Sequence, residues 1–432
     1  MAAAPEPSED DADAVAAPGW AGDGGEMAAE TVVERLRLGQ PVQNARIGRL
    51  ALTGEFPLPV VLDHVSIQRL SVSGATFAQG LAIRHSEVRR GHVGGQLKVG
   101  LDLDLRGTRV GRLDLGEAEI GRDLRLDGVI AEQMVRINRC AVAGVVRFWQ
   151  GRFQDWVECN GCRVGGKADL RSFHAAEGMI FRECHFAGEF LLRGSTVTKK
   201  LEFSGCRMEG LTDFSKAKLH DVVYLDGIEP GPGQSFAFEN ALFTRLLVEP
   251  DKLKGRLASE NHGHHRAAMM EYGLLKQNYQ HLNRYEDEDW AFYRFKVNQR
   301  KARPTSWWKP WTKVARFLDY WLLDAGCGYG AKPFRAVTTA FVLMALFAGI
   351  YAGGIDRLDV PRAPWPDLPV THPVNRALFG AMTSVSVFTA GFSGEHLRAA
   401  EGWILVPLAV EALAGTLLWG LFIVAFSRKV IR

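Results

Sequence analysis

The first 34 residues contain no lysine, arginine or histidine, against nine acidic residues, and alanine, glycine and proline fill much of the remainder. Such a segment has too little apolar surface to offset its ordering entropy, so residues 1–34 are expected as a disordered acidic tail. The tail also lacks the basic start, apolar centre and small-residue cleavage site of a secretory signal, and export of the N-terminal part is not expected. Cysteine is sparse: six in 432 residues do not make a secreted disulfide scaffold. No nucleophile is paired with a base, and no phosphate-binding glycine loop or cofactor motif occurs. No enzyme activity and no cofactor are therefore expected.

Charge is missing from Ala336 to Ile355, and from Gly402 to Phe426 only Glu411 carries one. Each run can cross a hydrocarbon core about 30 Å thick. Between Arg294 and Arg335 ten bases face only Asp319 and Asp324, and the chain ends SRKVIR. The positive-inside rule then puts both flanks in the cytoplasm. The expected location is the cell (inner) membrane, multi-pass, with both termini cytoplasmic and the loop Asp356 to Glu401 outside. Nucleic-acid binding is not expected, because the basic cluster lies beside the membrane among interfacial aromatics.

The first half carries a repeat. Leu113, Leu124, Val135, Val146, Val157, Ala168, Met179, Phe190, Leu201, Thr212 and Val223 recur every eleven positions, and a second apolar column follows two places later. Neither a helical period nor simple alternation produces this; short strands with a corner after each do. Cys140, Cys162, Cys184 and Cys206 are spaced by 22, so two elevens make one coil, and stacking at about 4.8 Å would place these thiols in an internal ladder. From about Val60 to Ile228 the pattern gives roughly seven to eight coils, on the order of 35 Å.

The pattern resembles the pentapeptide-repeat family, and the resemblance implies a right-handed quadrilateral β-helix, here with 22-residue coils in place of the family's twenty. The helix-like GEMAAETVVERLRLG before Gln40 is suited to cap one end and the segment after Pro250 the other, blunting the open sheet edges. The expected organisation is a tail (1–34), a cap (35–59), the β-helix (60–250), an α-helical linker with an interfacial helix (258–333) and a two-helix membrane domain (334–432).

Three motifs have bland readings. CNGC, Cys159 to Cys162, falls on inward columns of the repeat, and no second pair completes a zinc site. HGHH, His262 to His265, has no evident carboxylate or thiol partner, so no metal site is expected. CGYG, Cys327 to Gly330, precedes the first span and reads as a turn before Lys332-Pro333 opens a helix. The aromatic VARFLDYWLLDAG ahead of it reads as a helix in the membrane interface, with a soluble core helix as the alternative. Ala268, Tyr272, Leu275, Tyr279 and Leu282 form the stripe of a packed helix, and a second helix is expected from Glu286 to Lys301, before Pro304.

The outward loop contains VNRALFGAMTSVSVF, of helical length, and then TAGFSG. Non-helical backbone at membrane depth is tolerated only where it is buried in protein or lines a watery path. Here the chain, over about Phe334 to Arg432, resembles the two-transmembrane potassium-channel family: outer helix, pore helix, filter loop, inner helix. The combination with a pentapeptide-type rod is one associated with bacterial channel-like proteins. The resemblance implies a homotetramer whose re-entrant segment supplies Thr389, Ala390, Gly391, Phe392 and Ser393 as the selectivity filter. Arg376, Thr383, Ser386, Gly394 and Glu395 would form the pore helix and mouth, and Gly415 would match the family's hinge glycine. Ser393 stands where the family has a glycine, at a cost of order 1 kcal/mol in the left-handed region. The expected function is conduction of monovalent ions, cations first because of the helix dipole. Anions compete because Arg376, His396 and Arg398 flank the mouth. A non-conducting membrane-anchored β-helical scaffold is the other alternative. Lipid and sister subunits are the expected partners, with an unidentified ligand or protein on the cytoplasmic β-helix as a gating or docking domain. Glu411 is either a pore-facing or filter-supporting carboxylate, or a group packed against Thr383, Ser384 or Ser386.

Overall fold

A computed structural model of the chain describes residues 24–304, 310–358, 369, 371–390 and 400–430. It divides into two compact units, with the boundary between Glu271 and Tyr272. Outside the described residues lie residues 1–23 of the acidic tail, and Gly391, Phe392, Ser393, Gly394, Glu395, His396 and Arg398 of the expected filter and mouth.

The first unit is a β-solenoid of about nine coils in which every ladder is parallel. One face is a sheet of ten strands in chain order, from Val42–Gln43 to Ser235–Ala237. The single eleven-residue column of the sequence resolves into two ladders. Leu113, Val135, Val157, Met179 and Leu201 stack in register on one face. Leu124, Val146, Ala168 and Phe190 stack on another. Partners in both are 22 positions apart. That spacing is not uniform: Val42 pairs with Leu62 and Val60 with Leu81, while Lys218 pairs with Leu242. The solenoid also begins earlier than Val60, at Val42, which accounts for the extra coils.

A backbone feature fixes the eleven-residue step. Glu117, Gly128, Arg139, Gln150, Gly161, Ser172, Glu183, Gly194, Gly205 and Lys216 each have φ between 51° and 69°. Each half-coil thus closes through one left-handed residue, which turns the chain and leaves an odd count between corners. Inward side chains then fill the interior: Phe181 stacks on Phe203 at 5.1 Å between centroids, and Phe148 and Phe153 pack with Phe173. The cysteine ladder is inside. The Cys162, Cys184 and Cys206 thiols donate to the carbonyls of Ile137, Cys159 and Phe181 at 3.2, 3.3 and 3.3 Å. All six cysteines are free and buried, and burial pushes the Cys159 thiol upward.

Both ends of the solenoid are covered. Helix α1 (Ala29–Arg37) buries Val32 and Leu36, and Glu26 bridges to Arg46 ahead of it. The helix starts six residues before the expected boundary of the tail at 34/35, because these two apolar residues have the first coil to pack on. At the other end come two short helices, α2 (Pro250–Leu253) and α3 (Ala258–Asn261), with Leu253 and Leu257 fully buried. Helix α4 (His265–His281) follows. Its Glu271 carboxylate accepts from the Phe238 backbone N–H at 2.8 Å and from the Ser259 hydroxyl. Ala268, Tyr272, Leu275 and Tyr279 are fully buried, as the stripe predicts.

In the second unit, helix α5 covers Tyr285–Ala302, within a residue of the expected limits. Helix α6 (Pro310–Leu318) runs into a wider turn over Asp319–Ala325. Trp311, Val314, Phe317 and Trp321 are exposed along it. Gly328, Tyr329 and Gly330 have φ of 57°, 55° and 80°, a left-handed turn that hands the chain to α7 (Pro333–Gly353). Helices α8 (Pro373–Ala390) and α9 (Leu405–Val430) complete a three-helix bundle. Residues Phe334–Gly353 and Gly402–Ser427 are long and apolar enough to span a membrane. Their outward faces carry exposed Phe341, Val342, Val406, Val410 and Val424.

Candidate functional site

Three contacts, rung by rung, position α8 against its neighbours. A Cβ on Gly380 would collide with the Ala348 carbonyl oxygen, so the backbones of α7 and α8 touch there. One turn on, the Ser384 hydroxyl reaches the Met344 carbonyl of α7 at 2.9 Å. Another turn on, a Cβ on Gly415 would lie 2.6 Å from the Phe388 carbonyl oxygen, so α9 presses on the last turn of α8. The rungs fall on α7 in reverse chain order, so α8 runs antiparallel to α7. The packing also explains why Gly415 is a glycine: a side chain there has no room.

Glu411 is fully buried between the three helices. Tyr351 of α7 donates to its Oε2 at 2.5 Å, and Ser384 of α8 meets its Oε1. Ser384 is one of the three groups expected beside Glu411, and it is hydrogen-bonded to it. The hydroxyl protons limit what this cluster can do. Ser384 has one hydroxyl proton and two acceptors, the Met344 carbonyl and Glu411 Oε1. Both bonds form together when the carboxyl group carries a proton and donates from Oε1 to Ser384. Phe347, Tyr351, Val387, Ile404, Leu408 and Ala412 pack around the clamp. Tyr351 was not singled out from sequence, although a carboxyl group in an apolar run demands a polar partner and Tyr351 is the one tyrosine in the facing run.

The level of α8 along α9 follows from the same contacts. Gly415 is ten residues into α9, about 15 Å along it, with fifteen residues still to come. Phe388 of α8 therefore lies partway along α9. At the other end of the bundle Leu358 bridges to Ala400, and the Glu401 N–H donates to the Arg357 carbonyl at 3.1 Å. Arg376, in the first turn of α8, lies 3.8 Å from Asp356. Thr389 and Ala390 belong to α8, and Thr389 Oγ1 donates to the Val385 carbonyl at 2.7 Å. An extended carbonyl ladder at these two positions is thus not the conformation of this chain. The helix continues through Thr389 and Ala390, since nothing in TA breaks it.

A second polar cluster lies where α7 begins. Asp324 accepts from Arg300 Nη2 at 2.7 Å and from the Tyr293 hydroxyl at 2.8 Å, and Asp319 accepts from Arg303 at 2.8 Å. Burial, with the Asp324 acceptor, raises the Tyr293 phenol above its ordinary range. Burial does the same to Tyr329. A cavity of about 210 Å³ is lined there by Lys296, Arg303, Asp319, Tyr329, Leu421 and Val424. These residues join α5 to the C-terminal part of α9.

No protein-family model, curated protein or solved structure matches the chain.

Proposed function

We propose that four copies of this chain form an ion channel for monovalent ions, cations before anions, with α7 as outer helix, α8 as pore helix and α9 as inner helix. The observation that carries the reading is the placement of α8: a third helix clamped through Gly380, Ser384 and Phe388 to both candidate spans, with Phe388 against Gly415 partway along α9. Its negative carboxyl end there favours a cation. Two helices and one partial helix supply a quarter of a pore, so a homotetramer is needed to surround an axis. In that assembly the backbone from Thr389 to Ser393 would replace ion hydration, and the exposed apolar faces of α7 and α9 would meet lipid or sister subunits. The solenoid, on the cytoplasmic side of the cell membrane, would serve as a gating or docking domain for a ligand or protein.

Two other readings stay in competition. The anion reading loses part of its support, because Arg376 is paired with Asp356. A non-conducting scaffold draws support from the helical backbone at Thr389 and Ala390, whose carbonyls point along a helix.

Planar-bilayer recording of purified protein decides among them. Cation conduction predicts current in a potassium chloride gradient, reversing toward the potassium equilibrium potential. Reversal toward the chloride potential would establish the anion reading. Silence at every voltage and gradient, from protein shown to be tetrameric and folded, would establish the scaffold.

A further inference from the structure

We propose that Asp63, His64 and His85 form a binding site for a borderline divalent transition metal, zinc being the reference ion, on the first coils of the solenoid. Asp63 Oδ1 lies 3.2 Å from His64 Nδ1 and 3.1 Å from His85 Nδ1, and all three ligand atoms fall within 4.8 Å of one another. Zinc bonds of about 2.0–2.1 Å in a tetrahedron place neighbouring ligand atoms roughly 3.3 Å apart, which the two N···O separations already approach. Only side-chain rotation separates this arrangement from coordination.

The solenoid explains how the residues meet. His64 and His85 occupy the same left-handed corner on successive coils, with φ of 54° and 46°. Coil stacking therefore brings the imidazoles to 5.2 Å between centroids. In the flanking coils the corner is held by Asn44 and Gly107, again left-handed. The sequence spacing of 21 between the histidines hid the pair, because nothing near either residue resembles a ligand motif. Asp63 is left to them by its neighbour: Arg84, which pairs with Asp63 in the strand register, turns its guanidinium to Asp104 at 2.7 Å. Two imidazoles and a carboxylate suit zinc, cobalt, nickel or copper better than magnesium or calcium, which prefer all-oxygen shells. Both imidazoles would bind as the Nε2–H tautomer and release the Nδ1 proton. The open coordination position would face a groove of about 650 Å³ that both histidines line, together with Glu26, Ser66, Glu87 and Arg89. This site stands whether or not the protein conducts ions.

The test is calorimetric titration of tag-free, full-length protein in detergent with zinc chloride, with magnesium chloride as control and cobalt absorption as a spectroscopic probe. His64→Asn and His85→Asn are the variants of choice, since asparagine already holds this corner at Asn44 and Asn240. One zinc per chain is expected, weakened about tenfold or more by either variant or by Asp63→Asn. Replacing His262, His264 and His265 by glutamine should leave that zinc in place. Absence of zinc binding by the wild type, or equal binding by the His64→Asn/His85→Asn double variant with unchanged circular dichroism, would overturn the proposal.

Discussion

Replacing Glu411 by glutamine should leave the helical bundle nearly as stable as before, whereas replacing it by alanine should not. Glutamine keeps the shape of a protonated carboxyl group: its oxygen can accept from Tyr351 and its amide can donate to Ser384. The cost of Glu411→Gln should stay within about 1 kcal/mol, as for a volume-conserving swap. Alanine removes a side chain that is fully buried. It leaves the Tyr351 hydroxyl without its acceptor, about 1–3 kcal/mol, and opens a cavity worth roughly 2–3 kcal/mol more. A total of about 3–6 kcal/mol follows, a large share of the stability of a small helical bundle. Tyr351→Phe should cost about 1–3 kcal/mol, and combining it with Glu411→Ala should cost less than the sum, since the two residues are one contact. Denaturation of purified protein in mixed micelles, with increasing sodium dodecyl sulfate, measures each value. If Glu411→Gln proves as damaging as Glu411→Ala, the group is needed as an anion, and the proton-bearing clamp is refuted.

Three further outcomes are expected. Gly415→Ala should destabilise the same bundle by about 1–3 kcal/mol through overpacking against the Phe388 carbonyl, and equal denaturation midpoints would show that α9 can move away at no cost. In the native protein all six buried cysteines should resist iodoacetamide, so rapid labelling of Cys159 or Cys162 before denaturation would contradict the inward placement of the ladder. Burial of Glu271 outweighs its Ser259 and Phe238 donors and raises its carboxyl above the ordinary value. Its contribution is then full below the unfolded value and lost as pH rises through the raised one; Glu271→Gln should flatten that decline in the thermal unfolding of the solenoid, and an unchanged pH slope would assign the decline elsewhere.

The solenoid was legible because its signal is redundant. Each apolar column repeats, so Leu113, Val135 and Val157 name a ladder that no single residue could. The uneven coil lengths near Val42 and Lys218 were hidden for the same reason: a period averaged over many coils blurs where one coil gains or loses a residue. The left-handed corners were unreadable, since Arg139, Gln150 and Glu183 are not residues that announce such a conformation. In the membrane-type bundle the helices were plain from length and hydropathy, whereas their contacts were not. Gly380 and Gly415 look alike in sequence to Gly349 or Gly420, whose added Cβ would meet nothing. Only the neighbour distinguishes a contact glycine from a vacant one.

Position of α8 is the point on which the fold and the proposed channel function meet. Every rung that holds it, Gly380 on Ala348, Ser384 on Met344 and Glu411, Phe388 on Gly415, lies within one chain. The helix is therefore held in place by contacts of its own chain. On the channel reading, assembly would have to unwind Thr389 and Ala390 and order the filter with them, and its entropic cost would be confined to that short stretch. The clamp thus makes a concrete demand on the channel reading: loosening it by Glu411→Ala should disturb conduction and stability together, whereas substitutions beyond Ala390 should alter selectivity while the bundle keeps its denaturation midpoint. A selectivity change from Glu411→Gln at unchanged stability would mean that the carboxyl group faces the ions after all.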